Sequence, residues 1–331
     1  MNKSEIVNLF NSFNNLNVLI IGDVMIDSYY YGEVNRISPE APVPIVSVNR
    51  EDNRLGGAAN VALNIKALGA NPILCSVIGT DTASKNFKEL LKNEELNTEG
   101  IINSDERITT VKTRIIGNQH QVLRVDSEVD TPLSSLENEK LSTAIKSLID
   151  NQKIDVVIFQ DYDKGVITES LIEQIISICN TKNIPTAVDP KKRNFGSYKN
   201  ATLFKPNLKE LKEGLNIDVD PSKSKDVEAA IDQLNSEQKN KINFITLSEY
   251  GVLIKDDSTK KQIPAHIRSI ADVSGAGDTV ISVASLCLAL NQDISIIAEI
   301  ANLAGGLVCE SVGVVPVDKD QLLSEAIDNL I

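Results

Sequence analysis

Ala271-Asp272-Val273-Ser274-Gly275-Ala276-Gly277-Asp278-Thr279 leads into an apolar stretch, Thr279 to Leu290, whose composition predicts a buried helix. A helix start leaves backbone N–H groups without intrahelical partners and carries a partial positive charge. Gly275, Ala276 and Gly277 are small enough for an anion to approach those donors closely. Asp278 ends the turn with a carboxylate that can take a proton from a hydroxyl while the amides hold a phosphoryl group. The stretch outlines a phosphotransfer site, and a glycine-rich cap feeding a buried helix fits the same residues.

Outward from this turn the chain alternates short apolar strands with helical patterns. Val18-Leu19-Ile20-Ile21 ends at Gly22-Asp23, and Ile73 to Ile78 ends at Gly79. Val156 to Phe159, Thr186 to Val188, Ala201 to Phe204 and Phe244 to Leu247 repeat the device. Helical patterns run from Gly56-Gly57 to Leu68, from Glu169 to Cys179 and from Val227 to Leu234. Strands that are apolar throughout predict an α/β class, a mainly parallel sheet covered by helices on both faces. Polar Asp218 to Asp226 reads as a surface loop.

Two regions break the rhythm. Tyr29 to Val34 with Val43 to Asn49, and Thr109 to Ile116 with Val122 to Asp126, alternate as half-exposed antiparallel strands do. They are expected to form a small sheet over the carboxyl ends of the main strands, where ligands of open α/β sheets bind. Such a sheet would act as a lid. The expected organisation is one domain over residues 1–331, with lid strands drawn from about 29–50 and 109–126.

A formal charge of −13 over 331 residues argues against nucleic acid as a partner. With 4% aromatics and no tryptophan, stacking platforms for single strands are not expected either. Cys75, Cys179, Cys287 and Cys309 lack C-x-x-C spacing, and the two histidines, His120 and His266, are far apart. Buried thiols in a reducing compartment fit better than a zinc site. Met1 to Asn17 lacks a signal-peptide pattern, and the longest apolar run is too short for a bilayer. A soluble, cytoplasmic protein without a membrane partner is expected.

Several further stretches carry chemistry. Gly56-Gly57-Ala58-Ala59-Asn60 permits close backbone approach before a helix, and Asn60 adds donors and an acceptor. Asp23 and Asp27 flank a strand end, where carboxylates can accept sugar hydroxyls or cap a turn. Asn207-Leu208-Lys209-Glu210 reads both as a capping box and as a carboxylate placed to order Mg²⁺ through water. Thr246-Leu247-Ser248-Glu249-Tyr250-Gly251 occupies another strand end.

Together these motifs resemble the ribokinase-like, or PfkB, family of carbohydrate kinases. The resemblance implies a three-layer α/β/α fold with a β-sheet lid, through which members often dimerise. It implies Asp278 as catalytic base and Gly275, Ala276 and Gly277 as anion hole. ATP would lie at Asn207, Glu210, Thr246, Ser248 and Gly251, with Glu210 touching Mg²⁺ through water. Ser248 stands where many members have glycine. The sugar would meet Asp27, Gly56, Gly57 and Asn60. A monovalent cation beside the anion hole is part of the same analogy.

Arg36 to Pro44, Gly22 to Asp27, Asp161 to Gly165 and Asp189 to Lys191 are similar to one subgroup, the bacterial D-glycero-β-D-manno-heptose 7-phosphate kinases. This resemblance runs from about Val18 to about Pro316. It implies transfer to O1 of a sugar phosphate, on the route to ADP-heptose and the lipopolysaccharide core. Lys112, Arg114, Arg124 and Lys164 are the expected grip on the 7-phosphate. Many such kinases are fused to an adenylyltransferase with a His-x-Gly-His motif, which this sequence lacks, so the nucleotidyl-transfer step is expected elsewhere. A fructokinase- or ribokinase-like enzyme is the nearest alternative, and a silent sugar- or nucleotide-binding regulator a more distant one. A dinucleotide oxidoreductase ranks lower still, because no G-x-G-x-x-G follows the first strand.

Overall fold

The structure, a computed structural model, describes residues 1–266 and 268–331. The first strands along the chain are β1 (Asn17–Gly22), β2 (Val24–Ile37), β3 (Pro44–Gly57), β4 (Asn71–Ile78), β5 (Ile101–Asn103), β6 (Val111–Gly117) and β7 (His120–Ser127). Then follow β8 (Val156–Gln160), β9 (Thr186–Asp189), β10 (Leu203–Phe204), β11 (Ile242–Thr246), β12 (Val252–Lys255) and β13 (Lys260–Ile263). The helices are α1 (Lys3–Ser12), α2 (Ala58–Ala67), α3 (Thr82–Asn93), α4 (Ser135–Asn151) and α5 (Glu169–Lys182). They continue with α6 (Leu208–Leu215), α7 (Ser224–Gln238), α8 (Ala276–Ala289), α9 (Ile294–Val308) and α10 (Lys319–Leu330).

Nine strands form one sheet in the order β13-β12-β11-β10-β9-β8-β1-β4-β5. From β11 to β5 all neighbours run parallel, as the apolar strand interiors predict. Successive side chains of a strand point to opposite faces, and the core divides accordingly. Val18 and Ile20 pack with α1, α2, α3, α8, α9 and α10; Leu19 and Ile21 pack with α4, α5, α6 and α7. Three layers result, with β1 buried on both sides.

The second sheet has the order β3-β2-β6-β7. Its outer pairs β2–β3 and β6–β7 are antiparallel, as expected, but the central pair β2–β6 is parallel. The reason is the route of the chain. β2 leaves the main sheet one residue after β1, and β6 also leaves from the main body, so two hairpins rooted at the same end lie side by side. The β2–β3 hairpin reaches further than the alternation suggests, since β2 begins at Val24 and β3 continues to Gly57, directly before α2, whereas β6 begins at Val111, two residues after the expected Thr109. The proline-rich stretch 38–43 forms the exposed turn between β2 and β3.

Two other expectations need correction, and one hairpin was not foreseen. Residues 224–226 belong to the first turn of α7 rather than to the expected loop. The strand expected from Ala201 is only Leu203–Phe204. The antiparallel β12–β13 hairpin escaped the sequence reading, because Lys260-Lys261-Gln262 is polar, as an edge strand can be. Among the described residues no helix is long and apolar enough to cross a membrane.

Candidate active site

Gly275 caps α8 with φ +84°, a conformation that favours glycine. A Cβ there would stand 3.3 Å from Asn60 Nδ2 and 3.4 Å from Val314 Cγ1. The helix starts at Ala276, so Ala276, Gly277 and Asp278 form its first turn, and Asp278 lies inside the helix rather than ending the turn before it. Its carboxylate is buried and takes three hydrogen bonds. Asn60 Nδ2 donates to Oδ2 at 2.7 Å, while Tyr162 Oη and Gln160 Nε2 donate to Oδ1 at 2.7 and 3.1 Å. Burial pushes the Asp278 carboxyl up, Asn60 and Tyr162 pull it down, and it settles at about 6, with Asp189 raising and Lys205 lowering it.

The double glycine solves a packing problem on the other side of Asp278. Gly57 caps α2 with φ +61°, and a Cβ on it would meet the Asp23 carbonyl oxygen at 2.4 Å. A Cβ on Gly56 would stand 2.1 Å from Asp27 Oδ2. Only glycine lets β3 pass both aspartates and deliver Asn60 to the site. Asp27 is buried and ion-paired with Arg114 of β6. Asp23 accepts from the backbone N–H groups of Tyr162, Lys164 and Val166 at 2.8, 3.1 and 3.0 Å, so it anchors a loop.

A cleft of about 600 Å³ opens from Asp278 along the carboxyl ends of β9, β10 and β11. Gly275, Ala276, Gly277, Asn207, Glu210, Thr246, Ser248 and Gly251 all line it, so the anion-hole and nucleotide expectations converge on one cavity. Ser248 has φ +54°, the left-handed region, which explains why glycine suits this position. Asn207 and Glu210 form the expected capping box, each side chain accepting the other's backbone N–H at 2.8 Å. The remaining oxygen of Glu210 pairs with Lys191. Burial and Asp189 raise the Glu210 carboxyl against the pull of Lys191 and Lys205. Burial disfavours the Lys191 charge, but Asp189 and Glu210 outweigh it and lift the ammonium above its ordinary range.

The four expected phosphate cations are gathered less neatly. Lys112 and Lys164 both bind Glu128, each at 2.8 Å, and Lys112 also reaches Asp126 at 3.1 Å. Arg124 pairs with Asp126 at 2.9 Å and is half exposed. Arg114 alone among them lies against the expected sugar residues, through Asp27. Arg54, which the sequence reading passed over, faces Asp27 in the β2–β3 register and flanks the Tyr29 ring together with Arg114.

Gln160, Tyr162, Asp189 and Lys205 were also missed as site residues. Asp189 and Lys205 form a buried ion pair at 3.1 Å beside Gly277. Their sequence signal was available: Gln160 and Asp189 end strands β8 and β9, and Lys205 follows β10. Polar residues at the carboxyl ends of parallel strands line the binding crevice.

Comparison with known proteins gives the family and the fold. The model of the pfkB family carbohydrate kinases matches residues 15–320. The bifunctional protein HldE of Methylobacillus flagellatus is 38% identical over 308 residues, covering 93% of this chain and 62% of that protein. Its counterpart in Desulfatibacillum aliphaticivorans is 40% identical over 322 residues, covering 96% and 65%. The chain thus spans under two thirds of the length of these relatives. Among solved structures, phosphofructokinase-2 from Escherichia coli in complex with potassium superposes with TM-score 0.76 at 19% identity, covering 95% of this chain and 99% of that one. Arabidopsis thaliana ribokinase complexed with ribose and ATP gives TM-score 0.70 at 15% identity, covering 93% and 98%. At such identities the likeness establishes a ribokinase-like fold.

Proposed function

The chain belongs to the pfkB family of carbohydrate kinases and is a phosphotransferase acting on a sugar hydroxyl; from that premise we propose that it transfers the γ-phosphoryl group of ATP to O1 of D-glycero-β-D-manno-heptose 7-phosphate. The product would be the 1,7-bisphosphate on the route to ADP-heptose. One observation carries the reading. Asp278 is where the two halves of the site meet, bonded to Asn60 on the sugar side and lining the cleft with the nucleotide residues on the other. The acceptor's identity is supported by the resemblance of Arg36 to Pro44, Asp161 to Gly165 and Asp189 to Lys191 to heptose 7-phosphate kinases.

In this reading Asp278 takes the hydroxyl proton, and the amides at Gly275 to Asp278 hold the transferring oxygens. Positioning and electrostatic stabilisation supply most of the rate. Lys205, buried beside Gly277, and Lys191 add positive charge where the phosphates converge. The donor set suits Mg²⁺ brought in on the nucleotide. Among the described residues no group of three or more His, Cys, Asp or Glu could hold a metal ion, and Glu210 offers one buried carboxylate to its water shell. Mg²⁺ would neutralise phosphate charge there. The β2-β3-β6-β7 sheet serves as the lid, excluding water when it closes. Asp27, Gly56, Gly57 and Asn60 hold the sugar, and Arg114 with Arg54 receives its phosphate, Lys112, Arg124 and Lys164 lying further along the same side.

The test is ATP-dependent phosphoryl transfer against a panel of sugars and sugar phosphates, with the product's linkage identified by NMR. Turnover of the heptose 7-phosphate to a 1-phosphate is expected. Efficient turnover of an unphosphorylated hexose or pentose, with none on the heptose phosphate, selects a fructokinase- or ribokinase-like enzyme instead.

A further inference from the structure

We infer that Tyr162 and Gln160 are positioning residues that saturate Oδ1 of Asp278, so that the acceptor's proton is taken by Oδ2. The inference rests on the reading of Asp278 as base. An ionised carboxylate offers about two acceptor sites on each oxygen. Tyr162 Oη at 2.7 Å and Gln160 Nε2 at 3.1 Å fill both on Oδ1. Oδ2 receives one bond, from Asn60 Nδ2 at 2.7 Å, and keeps one site free. Asn60 Nδ2 is also the nearest group to the position a Cβ on Gly275 would take. The free oxygen therefore lies on the side of the anion-binding turn, where hydroxyl and phosphoryl group must meet.

Both donors are held in place by contacts that do not involve the ligand. Gln160 Nε2 sits between two carboxylates, reaching Asp189 Oδ2 at 3.3 Å as well as Asp278. The opposite amide orientation would turn its oxygen onto both charges. Tyr162 is anchored through its own N–H to Asp23, which also binds the N–H groups of Lys164 and Val166. On the cleft side the Lys191 ammonium lies 5.5 Å from the centre of the Tyr162 ring. Such preorganised support fixes the direction in which the base can act.

The proton account balances without a further reactant. The sugar hydroxyl loses its proton to Oδ2 as its oxygen bonds to phosphorus, and the bond from phosphorus to the β-phosphate oxygen breaks. Oδ2 then releases the proton to water once product leaves. Tyr162 keeps its proton throughout, because burial and the neighbouring Asp278 charge hold its phenol far above the ordinary range. The titratable groups facing Asp278 are Asp189, Lys205 and Lys191, which carry charge, and the neutral phenol of Tyr162. Tyr162 stabilises the ionised form, so its loss has a signed consequence.

Tyr162→Phe removes one donor from Oδ1 and leaves the ring. Two readouts apply, on purified full-length protein. The Asp278 carboxyl is titrated by ¹³C NMR without substrates, its signal identified by its loss in Asp278→Asn, and kcat and KM are measured against pH with ATP, Mg²⁺ and whichever panel sugar is turned over. In Tyr162→Phe the carboxyl midpoint and the acid limb of kcat/KM should both rise by about one pH unit. At neutral pH kcat should fall roughly tenfold or more, with both KM values within about threefold. Gln160→Met, which keeps Tyr162, should shift both readouts in the same direction. An unmoved midpoint in both variants overturns the inference. Should Asp278→Asn keep near-normal turnover, the base assignment fails instead, and the two failures are distinct.

Discussion

Asn60 and Asp278 lie 218 positions apart in the chain, yet Asn60 Nδ2 donates to Asp278 Oδ2 at 2.7 Å inside the protein. The bond joins α2, which follows the double glycine, to the first turn of α8. It is one of the contacts that hold the buried carboxyl at about 6 instead of higher.

Activity should therefore follow the ionised fraction of Asp278. A base must be deprotonated to act, so kcat/KM is expected to rise from pH 5, pass half-maximum near pH 6 and level off above pH 7. Asp161 titrates at about 6 as well, pushed up by burial and by Asp23, but its Oδ2 accepts from Asn194 and Tyr198 and its Oδ1 from the Asp163 N–H, none of them shared with Asp278. Asp161→Asn should leave the acid limb in place. A limb that vanishes in that variant would transfer the titration to Asp161.

Stability should show the opposite sign. The folded Asp278 carboxyl, at about 6, binds its proton more tightly than the ordinary value of 3.8 in the unfolded chain. Its favourable contribution is complete below about pH 4 and is lost as pH rises through 6, an effect on the order of 3 kcal/mol. Asp278→Asn should therefore gain stability relative to the parent between pH 4 and pH 8, while losing kcat by orders of magnitude. Denaturant midpoints at the two pH values check it; a pH-independent difference would remove Asp278 as a source of strain.

Much of this was legible because it is written locally. Apolar runs marked β1, β4 and β8, the first two ending at glycine, and the glycines at the head of α8 marked the tight start of that helix. What the sequence concealed is tertiary. Whether Asp23 grips a ligand or a loop depends on where residues 162–166 pass, which no spacing near Asp23 encodes. Lys112 and Lys164 read as free cations until the fold brings Glu128 between them. Gln160 ends β8 and Tyr162 lies just beyond it, and it is the packing of α8 against β8 that sets them beside Asp278.

The two adjacent glycines should fail in different ways. A Cβ at Gly56 collides with Asp27 Oδ2, a movable side chain, so Gly56→Ala should fold but disturb the Asp27–Arg114 pair. The sugar KM is expected to rise about tenfold or more, with the ATP KM little changed. A Cβ at Gly57 meets the Asp23 backbone, and φ there is +61°, so Gly57→Ala should lose at least about 2 kcal/mol of stability. Thermal unfolding with steady-state kinetics separates the two, and equal effects would contradict the geometry.

Glu210→Gln tests the metal role apart from the cap. Glutamine still accepts the Asn207 N–H in a capping box, so the helix start survives. The charge paired with Lys191, and the one the proposal offers to Mg²⁺, is lost. The Mg²⁺ concentration for half-maximal rate should rise about tenfold while the melting temperature changes by a few degrees at most. An unchanged Mg²⁺ requirement would reduce Glu210 to a helix cap and a partner for Lys191.

The four-stranded sheet carries an apolar side as well as a charged one. Leu123 and Val125 alternate with Arg124 on β7 and are 54% and 47% exposed, and Val48 on β3 is 53% exposed. Arg124 pairs in register with Arg114 on the Asp27 side, so Leu123 and Val125 point away from the site. Apolar residues on an outward sheet face are costly in water and are covered by association. We expect a dimer formed through these faces at micromolar concentration, measured by light scattering after gel filtration. Leu123→Glu with Val125→Glu should give a monomer, with a rise in sugar KM if the partner sheet steadies the lid. A parent protein that is monomeric throughout that range would leave the face as plain surface and the lid as a device of one chain.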